Sequence, residues 1–98
     1  MGENAAYAIG HIRVKDEEKW AEYRGKVPAT LSEWGAEIVF RGKRIEVLSG
    51  EHGYDDTVVI RFPDADAMRG WYRSPAYQAL IPLREQAADL VIIGYDGS

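Results

Sequence analysis

The sequence contains no cysteine, which excludes disulfide bonds, thiolate metal sites and a cysteine nucleophile. It has no basic excess either: 12 Lys and Arg against 16 Asp and Glu give a net charge of −4, which argues against a nucleic-acid surface. No apolar run approaches the length that crosses a bilayer, and the first residues show no basic segment followed by an apolar stretch. We therefore expect no nucleic-acid partner, no membrane partner and a cytoplasmic location.

Standard catalytic motifs are also missing. The sequence has no glycine-rich dinucleotide motif, P-loop, GxSxG or HExxH. His11 is the one weak candidate for a catalytic acid or base, because imidazole titrates near neutrality. A lone strand histidine is more simply an interface or core residue. His52 has Glu51, Asp55 and Asp56 nearby, but this spacing is too weak to predict a metal site. No metal and no cofactor is predicted.

The first third of the chain predicts a strand followed by a helix. Tyr7–Val14 is rich in β-forming residues. Asp16 then offers a helix N-cap, and apolar residues recur after it at intervals of three and four. Pro28 interrupts this stripe and predicts a kink or a division into two helices. Gly35 is placed to end the helical region.

Four further strands are predicted, at Ala36–Phe40, Arg44–Leu48, Thr57–Phe62 and Leu90–Tyr95. The third of these is expected to be central in the sheet. Gly42 and Lys43, between the first two, fit either a hairpin turn or a bulge that bends one long edge strand. The sequence leaves both alternatives open.

The stretch RGWYRSPAYQALIPLR (residues 69–84) carries the second helical region. One helical segment is predicted to end at Tyr72. Ser74 then caps a second segment and Pro75 takes its first position, where the missing N–H of proline leaves no donor unpaired. Pro82 lies inside this second segment, which runs to about Ala88, and predicts a kink.

The order of these elements predicts a single α+β domain over residues 1–98. Strands come first and last, with two helical excursions between them. This order is typical of a ferredoxin-like, split βαβ fold with an antiparallel sheet. Right-handed crossovers place both helical regions on one face of the sheet.

Side-chain alternation divides the predicted sheet into two faces. One face is uniformly apolar and should meet the helices. The other is too apolar for solvent and too charged for a core, so we predict a homodimer through it, burying roughly 800 Å² per partner. A monomer with scattered surface hydrophobes is the alternative. The residues assigned to this second face are Ile9, Val39, Leu48, Val59, His11, Arg13, Glu37, Arg41, Glu46 and Arg61.

Aromatic and arginine residues form the most informative candidate site. Between helices and sheet they would suit a small organic acid or an aromatic ligand, because guanidinium binds carboxylate bidentately and rings supply apolar walls. Taken singly, each ring is also explained as a core residue and each arginine as a salt-bridge partner. The predicted substrate-binding residues are Tyr23, Arg41, Trp71, Tyr77 and Arg84.

Three stretches resemble a known family: VFRGKRIEVLSG, VVIRFPD and WYRSPAYQALIPLR, at residues 39–50, 58–64 and 71–84. They resemble the bacterial DUF1330 family of domains of unknown function, and the resemblance covers nearly the whole chain. It implies a ferredoxin-like subunit of the dimeric α/β-barrel group, in which two sheets pack face to face. That group includes cofactor-free monooxygenases, muconolactone isomerase-like enzymes and haem-binding chlorite dismutase-like proteins.

The resemblance also places this chain's residues on the family's characteristic positions, without implying a reaction. Those positions carry Tyr23, Arg41, Trp71, Ser74, Tyr77 and Arg84. The chain departs from the family at Ala36, where a second glycine is frequent, and at His11, where an acidic residue is common.

Three functions follow from these observations as hypotheses. The first is a small cofactor-free enzyme acting on an organic acid or aromatic metabolite in a helix–sheet cleft, with His11 or a tyrosine moving a proton. The second is a non-catalytic dimeric module that binds or senses the same kind of ligand. The third, a haem protein, needs an axial ligand that only His11 or His52 would supply, and it ranks well below the other two.

Overall fold

A four-stranded antiparallel sheet forms the base of the fold. The computed structural model describes residues 4–97, with strands β1 (Ala6–Val14), β2 (Glu37–Lys43), β3 (Asp56–Phe62) and β4 (Ala88–Asp96). Their spatial order is β2-β3-β1-β4, and all neighbours are antiparallel. The first and last strands are therefore adjacent and β3 is central. This arrangement confirms the predicted α+β, ferredoxin-like fold.

The helices lie on one face of this sheet, as predicted. A 3₁₀ turn (Ser32–Trp34) follows the longest helix and leads into β2. The other three helices are consecutive and short, and they connect β3 to β4. The helices are α1 (Glu17–Leu31), α2 (Ala65–Arg73), α3 (Pro75–Gln78) and α4 (Ile81–Ala87).

Side-chain caps begin the helices where the sequence places them. Asp16 Oδ1 accepts from the backbone N–H of Lys19 at 3.1 Å, and Ser74 Oγ accepts from that of Tyr77 at 3.3 Å. Each bond satisfies a backbone donor that the helix itself leaves free. Gly35 ends the first helical region with φ 65°, a left-handed conformation that glycine adopts without strain.

The division into two helices, one of the alternatives predicted at Pro28, is not observed, and Pro82 lies at the start of a helix. Pro28 does not divide α1, which runs as one helix from Glu17 to Leu31, because its apolar side is held on the core along its length. Pro82 does not lie in the middle of a helix. The segment after Ser74 breaks at residues 79–80, and Pro82 falls in the first turn of α4, where no backbone N–H donor is needed.

The predicted strand at Arg44–Leu48 is wrong. Strand β2 ends at Lys43, which pairs with Asp56 at the start of β3. Beyond this pair no strand remains for residues 44–48 to join, and they run as an irregular segment with Ile45 97% and Leu48 88% exposed. Neither alternative for Gly42–Lys43 is observed, since that dipeptide lies within β2.

The bulge in β2 lies between Ile38 and Phe40, and it moves Arg41 to the helix face. Ile38 is opposite Ile60, Phe40 is opposite Val59, and Arg41 is opposite Val58. Simple alternation assigns Arg41 to the second face, and this assignment is wrong because one extra residue reverses the side of every later side chain.

The apolar core lies between this helix face and the helices. The sheet contributes small and branched side chains, and α1 contributes the stripe that its sequence predicts. The core includes Ala6, Ala8, Ile12, Ile60 and Phe62 from the sheet, Trp20, Tyr23, Val27 and Leu31 from α1, and Trp71 and Tyr77 from the later helices.

The opposite side of the sheet, here called the outer face, carries no helix within residues 4–97. Its pairs include Tyr7 opposite Tyr95, and Ile9 between Val59 and Ile93. Ile93 is 38% exposed and Tyr95 is 47% exposed. This face is more apolar than a solvent-facing surface normally is.

Candidate small-molecule cleft

A cleft lies between α1 and the helix face of the sheet. It consists of an inner cavity of about 40 Å³ and a wider vestibule of about 210 Å³. The two parts share lining residues, Trp20 and Arg41 among them, and are therefore contiguous. Apolar side chains of β1, β3 and β4 form the floor of the inner cavity. The term cleft is used below for both parts together.

Two arginines, Arg24 and Arg41, line both parts of the cleft. Among residues 4–97, no carboxylate lies within salt-bridge distance of either guanidinium. Burial, together with the nearby charge of Arg24, lowers the pKa of Arg41 from its ordinary value. Two like charges without a counter-charge of their own favour the binding of an anion between them.

The remaining cation of the vestibule is compensated. Lys43 Nζ lies 3.2 Å from Asp56 Oδ1, and the lysine side chain is 78% exposed. An exposed pair of this kind contributes little to stability. Because Lys43 is paired, Arg24 and Arg41 are the cations of the cleft that have no carboxylate partner among residues 4–97.

Behind the cleft, two tyrosines and an arginine form a buried hydrogen-bonded chain. The hydroxyl oxygens of Tyr23 and Tyr77 are 2.7 Å apart, and Arg84 Nη1 donates to the Tyr77 hydroxyl at 3.0 Å. Arg84 Nη1 also donates to the Tyr72 hydroxyl at 3.4 Å. Burial, followed by the proximity of Tyr77, raises the pKa of Tyr23 far above its ordinary value. Tyr23 is therefore a hydrogen-bond donor at neutral pH and not a base.

This raised pKa predicts how stability changes in alkali. The pKa of Tyr23 is higher in the folded state than in the unfolded state. The contribution of Tyr23 to the free energy of unfolding is therefore complete below about pH 10 and is lost as the pH rises above that value. The expected decline is about 1.4 kcal/mol per pH unit. We expect Tyr23→Phe to remove this part of the decline, measured by urea denaturation at a series of alkaline pH values. If the free energy of unfolding falls equally steeply with pH in the unchanged protein and in Tyr23→Phe, the raised pKa of Tyr23 is contradicted.

The five predicted binding residues are divided among three places. Tyr23, Arg41 and Trp71 line the cleft. Tyr77 is 0% exposed and lies behind it. Arg84 lines a different groove, on the far side of Trp71. Trp71 lines both the cleft and this groove, and its indole is held in place by its Nε1, which donates to Thr30 Oγ1 at 2.9 Å.

His11 lies on the other side of the sheet from the cleft. It is opposite Thr57 and Val91 on the outer face, and its ring is 5.1 Å from that of His52 and 6.4 Å from that of Tyr54. A proton transfer inside the cleft would therefore need another group. Within residues 4–97, no cluster of three His, Cys, Asp or Glu residues could hold a metal ion.

One cleft residue, Arg24, is absent from the sequence-based set. Its signal was available, because Arg24 follows Trp20 by four residues and therefore shares a side of α1 with it. It directly follows Tyr23, which the aromatic stripe already placed on the core side. Positions at the border of an apolar stripe are where a charged side chain reaches the mouth of a cleft.

The fold closely matches those of solved structures whose sequences are distant. A protein of unknown function from Rhodopseudomonas palustris (RPA0582) has a TM-score of 0.81 at 19% identity, over 96% of this chain and 82% of its own. SnoaB, a cofactor-independent oxygenase from Streptomyces nogalater, has a TM-score of 0.68 at 11% identity, over 97% and 94%. A dimeric ferredoxin-like protein of unknown function from Thermobifida fusca has a TM-score of 0.64 at 14% identity, over 96% and 92%.

At these identities the likeness shows the fold alone, and the reactions and assemblies belong to those proteins. No curated protein sequence matches this chain. Across residues 4–97, none of the helices has the length and apolar character needed to cross a membrane. The family model of the domain of unknown function DUF1330 matches residues 5–97, nearly the entire chain. The protein therefore belongs to the DUF1330 family, as the three sequence stretches predict.

Proposed function

We propose that the protein binds a small organic carboxylate in the cleft. Arg24 and Arg41 hold the carboxylate, and the apolar part of the ligand lies against Trp20 and the floor of the cavity. The observation that carries this proposal is the pair of guanidinium groups at the mouth of an apolar cavity, with no carboxylate of residues 4–97 beside them. Charge-assisted hydrogen bonds from arginine to a carboxylate are among the stronger polar contacts in proteins.

The volumes limit the size of this ligand. An apolar cavity of about 150 Å³ holds benzene, so the inner cavity of about 40 Å³ accepts only the end of a molecule. The vestibule of about 210 Å³ is large enough for a ring. The ligand is therefore a compact one, with its carboxylate near the surface and its apolar end directed inward.

Catalysis without a cofactor is the further step of this proposal. The likeness to SnoaB, a cofactor-independent oxygenase, supports it at the level of the fold. Tyr23 lines the cleft and its hydroxyl is held by Tyr77, which accepts from Arg84, so we assign to Tyr23 the hydrogen bond to a bound carbonyl. The alternative is a module that binds or senses the ligand without turnover, and product analysis after incubation with the bound ligand distinguishes the two.

The proposed assembly is a homodimer through the outer face, and the proposed location is the cytoplasm. The exposed Ile93 and Tyr95 on this face and the dimeric protein of the same fold support the dimer. Covering such a face removes apolar surface from water at about 25 cal/mol per Å². Microscopy of a fluorescent fusion tests the location.

Benzoate, a compact aromatic carboxylate, tests the cleft. We expect it to shift the backbone amide NMR signals of Gly42 and Thr57, which lie in the vestibule. Arg41→Gln should weaken benzoate binding about tenfold or more, because a charge-assisted hydrogen bond contributes about 1.5–3 kcal/mol.

Lys26→Gln is the matched control for that titration. It removes the same charge from an exposed site on α1 where Lys26 pairs with Glu22, and it should leave the benzoate affinity unchanged. An Arg41→Gln protein that binds benzoate as tightly as the control would rule the proposal out.

A further inference from the structure

A second concave site, here called the α2–β4 groove, lies on the helix side of the sheet beyond Trp71. Its volume is about 330 Å³, much larger than the inner cavity of the cleft. Helix α2 packs over β1 and β3 and leaves the helix face of β4 open beside it. Ala8, Ile92 and Gly94 form an apolar floor.

Met68 approaches the floor of the groove closely at Gly94. A Cβ atom on Gly94 would lie only 2.6 Å from Met68 Cε, so any side chain there would displace the methionine. Small residues on the floor and a flexible methionine at the wall shape the groove for an apolar group.

The walls of the groove carry three arginines, Arg69, Arg73 and Arg84, and no acidic side chain lines it. Arg69 and Arg73 are four residues apart and share one side of α2. Arg69 pairs with Asp66 at 3.5 Å, and that carboxylate is 96% exposed. Within residues 4–97, no carboxylate lies within 4 Å of the Arg73 guanidinium. Arg84 likewise pairs with Glu85 at 3.0 Å, so Arg73 carries the uncompensated positive charge above the apolar floor.

Arg84 is the fixed member of this group. Its side chain is 10% exposed, its Nη1 donates to the hydroxyls of Tyr72 and Tyr77, and its Nε and Nη2 donate to Glu85 Oε2. Burial lowers the pKa of Arg84, but hydrogen bonds to Tyr72 and Tyr77 outweigh this and raise it. These four bonds leave one of the five N–H donors of a guanidinium without a partner. The charge is held in place before any ligand arrives, which reduces the ordering that binding requires.

We infer that the α2–β4 groove is a second ligand site, which binds an amphipathic carboxylate such as a medium-chain fatty acid. The apolar chain lies on the floor formed by β1 and β4, and the carboxylate meets the arginines of α2 and α4. The groove shares Ala8, Trp71, Leu90 and Ile92 with the inner cavity of the cleft, and it differs from the cleft in its arginines and its size. The inference does not depend on the function proposed for the cleft.

Octanoate titration followed by NMR tests this site. The amide of Gly94 and the methyl group of Met68 report on the groove, whereas the amides of Gly42 and Thr57 report on the cleft. We expect octanoate to shift the groove signals, and the double variant Arg69→Gln/Arg73→Gln to weaken this binding about tenfold. Octylamine, which has the same chain and the opposite charge, should produce no shift at Gly94.

The controls separate this inference from the proposal for the cleft. Lys26→Gln removes one positive charge from α1, against two in the double variant, and should bind octanoate with unchanged affinity. The inference is overturned if octanoate shifts only the NMR signals of the cleft, if it shifts only those of Val91 and Ile93 on the outer face, or if it shifts no signal. It is also overturned if the double variant binds as tightly as the control. None of these results bears on benzoate at Arg41.

Discussion

Replacing Trp71 with alanine is expected to lower the free energy of unfolding by about 3–5 kcal/mol. The indole is 2% exposed, its ring centroid lies 4.3 Å from that of Tyr77 and 5.4 Å from that of Phe62, and its N–H donates to Thr30. A domain of this size has about 5–15 kcal/mol in total. The substitution therefore brings the protein close to unfolding.

Urea denaturation at several protein concentrations measures this effect and separates it from dissociation of a dimer. Trp71→Phe is the graded control, because it keeps an aromatic ring in the core and removes the N–H donor to Thr30. We expect Trp71→Phe to lower the free energy of unfolding clearly less than Trp71→Ala does. A denaturation midpoint for Trp71→Ala equal to that of the unchanged protein would show that the ring is not an essential part of the core.

Replacing Ile93 with glutamate on the outer face is expected to convert the proposed homodimer into a monomer. Ile93 lies opposite Ile9 in the middle of that face. Two-fold symmetry places the new carboxylate in the interface twice, and an uncompensated buried charge costs about 3–5 kcal/mol. The dimer dissociation constant should rise more than a hundredfold, measured by sedimentation velocity over a range of concentrations.

Ala21→Glu provides the matched control, since it adds the same charge to an exposed position of α1 and should leave the dimer intact. Circular dichroism should show the same secondary structure in both variants. The proposed assembly is refuted if the unchanged protein sediments as a single subunit at all concentrations, or if Ile93→Glu dimerises as strongly as Ala21→Glu.

The outer face and the two ligand sites occupy opposite sides of the sheet. Val59 and Ile93 face outward, whereas Val58 and Ile92 face the cleft. A dimer through the outer face therefore leaves the cleft and the α2–β4 groove open on each subunit. Both proposed sites open on the helix side, so the proposed assembly and the proposed binding involve separate surfaces of one small sheet.

Local chemistry in the sequence was sufficient to predict the framework of this protein. Asp16 and Ser74 cap helices because their side-chain oxygens satisfy nearby backbone donors, and Gly35 ends a helix because of its own conformational freedom. Alternation along β1 placed His11 on the outer face correctly, since β1 pairs without a bulge. Each of these features depends on residues only a few positions apart.

Tertiary structure alone decided which residues line the two proposed ligand sites. The bulge between Ile38 and Phe40 placed Arg41 in the cleft, and the end of β3 pairing at Asp56 released Arg44–Leu48 from the sheet. Arg41 lines the cleft and Arg84 lines the groove, although both belong to one sequence-based set. These outcomes depend on contacts between residues far apart in the chain, whose register and packing no short-range periodicity encodes.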